Sequence, residues 1–216
     1  MFKRRTKRSY AQIVAEGIYP RGGWTRAFSY VLHRLRRLPD PPHKIARGIA
    51  AGVFVCFTPF FGFHFVLAIA LAFVMQGNLL AALMATFFGN PLTFPIIATV
   101  SIELGSWMLG VPHGIPLPQI VAAFSNASLE LWNNFTAIFT PEITHWNRLA
   151  DFFYRVFLPY LVGGIIPGVV LAVVAYSLTL PVLSAYQKAR IKRLKKRYEK
   201  KRAADEAKAD AALKAR

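Results

Sequence analysis

Three stretches of the chain are almost wholly apolar: Ile49–Met75, Leu79–Ile102 and Val156–Leu183, with His64 the one histidine among them. Each exceeds the roughly 20 residues a helix needs to cross a ~30 Å hydrocarbon core, so the pattern predicts an all-α integral membrane protein. Every run is interrupted near its middle by helix-breaking residues. These are Thr58-Pro59-Phe60-Phe61-Gly62 in the first, Gly89-Asn90-Pro91 and Pro95 in the second, and Gly163-Gly164 and Pro167-Gly168 in the third. Proline removes a backbone donor, and hydrocarbon offers no substitute partner. Breaks at Pro59, Gly62, Pro91 and Pro95 therefore predict discontinuous helices, at least one of them re-entrant; three kinked full helices are the alternative.

The flanks predict amphipathic interfacial helices. In the basic arm, residues 1–44, turn formers YPRGGW (Tyr19–Trp24) and LPDPP (Leu38–Pro42) bracket a helix that Thr25 can cap. Phe28, Val31, Leu32 and Leu35 recur there at helical spacing, while Arg26, Arg34, Arg36 and Arg37 occupy other faces. Such a helix lies on anionic lipid or packs against the membrane domain, residues 45–184. Between the second and third runs, residues 104–155 are expected on the outer face. Ile120, Phe124, Leu131 and Phe135 form a stripe there, with Val121 and Trp132 alongside, and Asn126, Ser128, Glu130, Asn133 and Asn134 make a crossing too polar. Residues 185–216 read as a basic tail that extends the last helix and then frays.

Charge orients these elements. Residues 1–47 hold 12 Lys/Arg against 2 acids, residues 48–155 hold 2 against 4, and residues 156–216 hold 13 against 4. Cations gather on the cytoplasmic side, so both termini are expected inside, which requires an even number of crossings. Three runs satisfy that parity only if one enters and returns. The late start of the first apolar run argues against a cleavable signal peptide. Nucleic-acid binding finds no recognition spacing, zinc ligands or stacking aromatics, and juxtamembrane cations on anionic headgroups account for the same residues.

The chemistry on offer is sparse. Gln76-Gly77-Asn78 predicts a tight turn between the first two runs; His64 and Asn90 each lie 13 residues from Gly77, at equal depth in an ideal hairpin. Thr58, His64, Asn90 and Thr93 form a candidate polar site within the membrane. Either they contact a polar cargo, or they satisfy backbone groups freed at the breaks. Gly48-x-x-x-Gly52 and Gly164-x-x-x-Gly168 predict close helix packing, against each other or against another copy. The lone Cys56 excludes an internal disulfide and any cysteine-built metal site. No catalytic constellation stands out, and no cofactor, metal ligand or catalytic residue is expected.

The segments IARGIAAGVFVCFTPFFGFHF (Ile45–Phe65), QGNLLAALMATFFGNPLTFPI (Gln76–Ile96) and LPYLVGGIIPGVVLAVVAYSL (Leu158–Leu178) resemble the bacterial membrane family catalogued as domain of unknown function 2062. The likeness covers about residues 20–185, and YPRGGW resembles the alphaproteobacterial form. It implies a multi-pass protein of the bacterial inner membrane without an established activity, some relatives being joined to glycosyltransferase-like domains. The expected function is a carrier or flippase-like protein for a lipid headgroup or small polar solute. A non-transporting scaffold or regulator of an envelope glycan or lipid enzyme is the alternative. Expected partners are membrane lipids, with a second copy or an envelope enzyme as protein partner.

Overall fold

Short helices joined by tight turns fill the first half of the chain, and one very long helix ends it, in a computed structural model that describes residues 23–36, 38–112, 115–140 and 143–214. Among these residues there is no strand. Residues 1–22 of the expected basic arm, 1–44, lie outside them. Helix α1 is Gly23–Arg36; it begins at Gly23, whose φ is 74°, so the expected start at Thr25 falls inside the helix.

Helix α2, Pro42–Val55, opens with proline at its first position, where a missing N–H costs nothing. A break at residues 56–63 separates it from α3, His64–Val74. The chain then turns through Gln76, which takes the left-handed conformation (φ 51°) expected of its glycine neighbour. Gly77 is instead needed for space, because a Cβ there would sit 2.7 Å from the backbone nitrogen of Gly48. Helix α4, Leu79–Ala85, follows under an Asn78 cap and tightens into a 3-10 turn at Thr86–Phe88. After the second break comes α5, Phe94–Leu109, ended by Gly110 at φ 64°. Pro95 lies in the first turn of α5, so it starts that helix and does not break one. Helices α6, Leu117–Ala137, and α7, Asn147–Phe152, lead through a wide π turn, Phe153–Phe157, into α8, Leu158–Lys214.

The first run folds back on itself. The amide of Asn78, after α3, donates to the carbonyl of Lys44 at the start of α2 (2.8 Å), so α2 and α3 leave from and return to one end. Helix α4 then runs parallel to α2: Gly48 packs on Asn78 and Ala81, Gly52 on Ala82 and Ala85, and Cys56 on Thr86 and Gly89. A Cβ at Gly48 or Gly52 would fall on the carbonyl oxygen of Asn78 or Ala82, so only glycine permits this approach. Helix α8 runs opposite to α2, with Gly164 and Gly168 against Phe57 and Phe54 and the Gln187 amide donating to the Asp40 carbonyl at 3.0 Å. It also runs opposite to α5, through Gly105 against Pro159 and Gly163 against Ser101. The two Gly-x-x-x-Gly pairs thus pack on different neighbours and not on one another.

The third run is unbroken, contrary to expectation. Pro167 and Pro181 sit inside α8. Helices α2 and α5 pack closely against this stretch, Gly164 and Gly168 on Phe57 and Phe54 and Gly163 on Ser101 and Gly105, and this packing holds the helix past Pro167. The basic tail continues as helix to Lys214. The helix that starts at Asn147 is the one segment, among the described residues, long and apolar enough to cross a membrane. His64–Val74, Leu79–Phe88 and Phe94–Leu109 are apolar but shorter.

The core mixes large residues such as Ile45, Phe57, Ile102, Ile120 and Tyr160 with many alanines, Ala46, Ala50, Ala51, Ala68, Ala72, Ala81, Ala82 and Ala98 among them. Many other large side chains point outward, among them Phe65, Val66, Phe73 and Val74 on α3 and Ile165, Val169, Val173 and Leu178 on α8. Only a third of the apolar stretch of α8 is buried.

Candidate functional site

The two breaks lie side by side, and each is built from its own sequence. At the first, the amides of Cys56, Phe57 and Thr58 bond three residues back, to Val53, Phe54 and Val55, and tighten the end of α2. The Thr58 hydroxyl donates to the Val55 carbonyl at 2.7 Å. Pro59 offers no donor, and Gly62 turns the chain at φ 85°. The half-buried His64 directs Nε2 to the Thr58 carbonyl at 3.2 Å, as a protonated ring nitrogen would.

Asn90-Pro91-Leu92-Thr93 forms a reciprocally bonded turn that leads into α5. Asn90 Oδ1 accepts from the amides of Leu92 (2.9 Å) and Thr93 (3.1 Å), and its carbonyl accepts from Phe94 at 2.8 Å. Thr93 Oγ1 in turn accepts from the Asn90 amide at 3.0 Å and donates to the Phe88 carbonyl at 2.5 Å. These bonds close a turn ahead of α5, whose first residue, Phe94, follows Thr93. Asn90 and Thr93 are therefore brought together, as are Thr58 and His64. The hydrogen bonds of each pair stay within its own loop.

Aromatic rings join the loops. Phe61 stands edge-on to Phe94 at 4.7 Å and to Phe124 of α6 at 4.6 Å, and it touches His64 at 5.4 Å and Tyr160 at 5.9 Å. Phe57 meets Phe88 at 6.2 Å. The Cys56 thiol lies within reach of the Gly52 carbonyl (3.2 Å) and the Thr86 carbonyl (3.4 Å), tying the ends of α2 and α4. Beside this hub, two buried hydroxyls, Ser101 Oγ and Tyr160 Oη, have no hydrogen-bond partner among the described residues. Ser101 Oγ and the carbonyl of Phe57 flank the same side of Gly164. These groups can donate and accept hydrogen bonds but form no acid–base or nucleophile pair. Among the described residues no three His, Cys, Asp or Glu side chains cluster around a space for a metal.

Helix α6 sits differently from its expected stripe. Val121, Leu131, Trp132 and Phe135 are exposed, whereas Ile120, Ala127, Glu130, Asn134 and Ala137 are buried. The Glu130 carboxylate accepts from the amides of Arg148, at 3.2 Å, and Leu149, capping α7. Asn134 brackets the backbone of His145 from both sides. In the sequence these two stand out only as polar residues beside the apolar stripe. Their four-residue spacing, in step with Ala123 and Ala127, is the signal for a shared face. Gly105 and Gly163, the tightest contact between α5 and α8, carry no motif in the sequence.

No curated protein and no solved structure matches this chain. A family model does, over residues 25–192, which takes in both breaks, α6 and the whole apolar part of α8. The chain therefore belongs to the family described as an uncharacterized protein conserved in bacteria, domain of unknown function 2062.

Proposed function

We propose that the chain is a multi-pass protein of the bacterial cytoplasmic membrane that carries a lipid headgroup or small polar solute at its paired helix breaks. In this reading α2 and α3 form a re-entrant hairpin, α4 and α5 together make one interrupted crossing, and α8 makes the return. Two crossings and one hairpin leave both basic ends on the cytoplasmic side, as the charge distribution asks. The many large apolar side chains left exposed support the bilayer as solvent, since residues such as Phe73 and Leu178 are costly in water and at home in lipid.

The observation behind the carrier is the convergence of two half-helix ends. Parallel α2 and α4 finish together beneath Phe124, beside His64, Asn90 and the unpartnered hydroxyls of Ser101 and Tyr160. Buried hydroxyls without partners favour a hydrated interior. The scaffold reading is favoured by a separate observation, that Thr58, His64, Asn90 and Thr93 spend their hydrogen bonds on their own loops.

Water access decides between them. Single cysteines at Thr58, His64 and Thr93, in a Cys56→Ala background reconstituted in liposomes, should react with small water-soluble thiol reagents. Labelled phospholipids and polar solutes should then cross faster with wild type than with His64→Ala. If all three positions stay unreactive in folded protein, the carrier gives way to the scaffold.

A further inference from the structure

The two breaks differ in what they leave unbonded. Asn90 and Thr93 bond the backbone of their own loop, whereas the Phe57 carbonyl, at the end of α2, accepts no hydrogen bond from the described residues. Ser101 Oγ stands beside that carbonyl at Gly164, and Tyr160, one turn earlier on the same face of α8, meets the Phe61 ring at 5.9 Å. Both hydroxyls are fully buried and have no partner among the described residues. We propose that this first break prefers an uncharged, hydroxyl-bearing group: the sugar or polyol headgroup of a lipid, or a free polyol. The inference rests on the carrier reading above and names its substrate class.

Hydrogen-bond chemistry selects the class. A carbonyl only accepts, while a serine or tyrosine hydroxyl donates as well as accepts. A guest hydroxyl can donate to Phe57 and accept from Ser101 or Tyr160, so a group with two or more hydroxyls can serve all three. A metal cation takes oxygen lone pairs and leaves both hydroxyl protons without an acceptor.

Charge narrows it further. Residues 48–102 and 156–183 contain no Asp, Glu, Lys or Arg, and Nε2 of His64 is spent on the Thr58 carbonyl. A phosphate or ammonium entering the break would shed its hydration with no side chain of opposite charge to meet it. The carbonyl end of α2 carries partial negative charge and opposes phosphate again. Neutral hydroxyls lose less on leaving water and regain it in the bonds above. The rings of Phe61, Phe94 and Tyr160 supply the apolar wall that small-molecule sites set around a few polar groups.

The test uses the full chain in liposomes. Tail-labelled glucosyl diacylglycerol and sorbitol are the neutral probes; phosphatidylserine, phosphatidylcholine and inorganic phosphate are the charged ones. Acceleration over protein-free liposomes should be about fivefold or more greater for a neutral probe than for its charged counterparts. Whether the glycolipid or sorbitol shows it separates the two sources of the headgroup chemistry. Ser101→Ala and Tyr160→Phe should each reduce that acceleration about three- to tenfold. Their unfolding temperatures should hold or rise, because each variant deletes a buried hydroxyl that bonds nothing in the unloaded protein. Equal acceleration of charged probes, no change in either variant, or a loss that tracks a lowered unfolding temperature would overturn the inference and leave the carrier standing. Acceleration of no probe at all would remove the carrier itself.

Discussion

Asn78 and Asp40, 38 residues apart, are hydrogen-bonded: the Asn78 amide donates to the Asp40 carboxylate while its own oxygen accepts from the Ala81 amide at 2.6 Å. Asp40 also accepts from Gln187 through its carbonyl. One aspartate in the LPDPP turn thus fastens the start of α4 and the far part of α8 at the end where α2 begins. Asn78→Ala removes both a helix cap, at about 1 kcal/mol, and a bond to a charged group, at about 1.5–3 kcal/mol. Asp40→Ala removes only the second. Thermal unfolding in detergent should rank Asn78→Ala below Asp40→Ala below wild type, and the double variant should lose less than the two singles together.

Helix contact at Gly52 tolerates no side chain. Gly52→Ala places a methyl group on the Ala82 carbonyl and should cost about 1–3 kcal/mol by prising α2 from α4. Gly62→Ala serves as the contrast, since nothing lies within 4 Å of its Cβ position and the penalty is confined to the backbone at φ 85°. Trypsin digestion of purified protein should therefore accelerate more for Gly52→Ala than for Gly62→Ala.

Glu130→Gln keeps the shape of the side chain that caps α7 and removes its charge, so the bonds to the amides of Arg148 and Leu149 should weaken. A loss of about 1 kcal/mol would appear locally first. Hydrogen exchange should quicken at residues 147–150 while the amides of α2 keep their protection. Unchanged exchange at Arg148 and Leu149 would show that the carboxylate does not hold them.

Cysteine accessibility in intact cells tests the proposed orientation. In the Cys56→Ala background, a cysteine at Asn126, exposed on α6, should be labelled by an impermeant reagent. One at Lys200 should be labelled only after the membrane is opened. Labelling of Lys200→Cys in sealed cells would place the basic end of α8 outside and undo the paired-crossing topology.

By itself the sequence determined where helices stop and start when the cause is local. Thr58-Pro59 and Asn90-Pro91 break and restart helices because proline lacks a donor and the neighbouring side chains satisfy the freed groups within a few residues. The apolar runs and the segregation of charge are likewise local properties, and they gave the helical content. Tertiary structure decided what depends on a partner far along the chain. Pro167 resembles Pro59 in sequence, yet its helix runs on, because packing against α2 and α5 holds it. The first run folds back because Gly48, Gly52 and Gly77 let α4 and the preceding turn come within backbone contact of α2, a fit that depends on the shapes of both surfaces. Glu130 and Asn134 became caps only once the start of α7 arrived beside them. A proline acts on the chain it interrupts, whereas a glycine or a carboxylate acts through what packs against it.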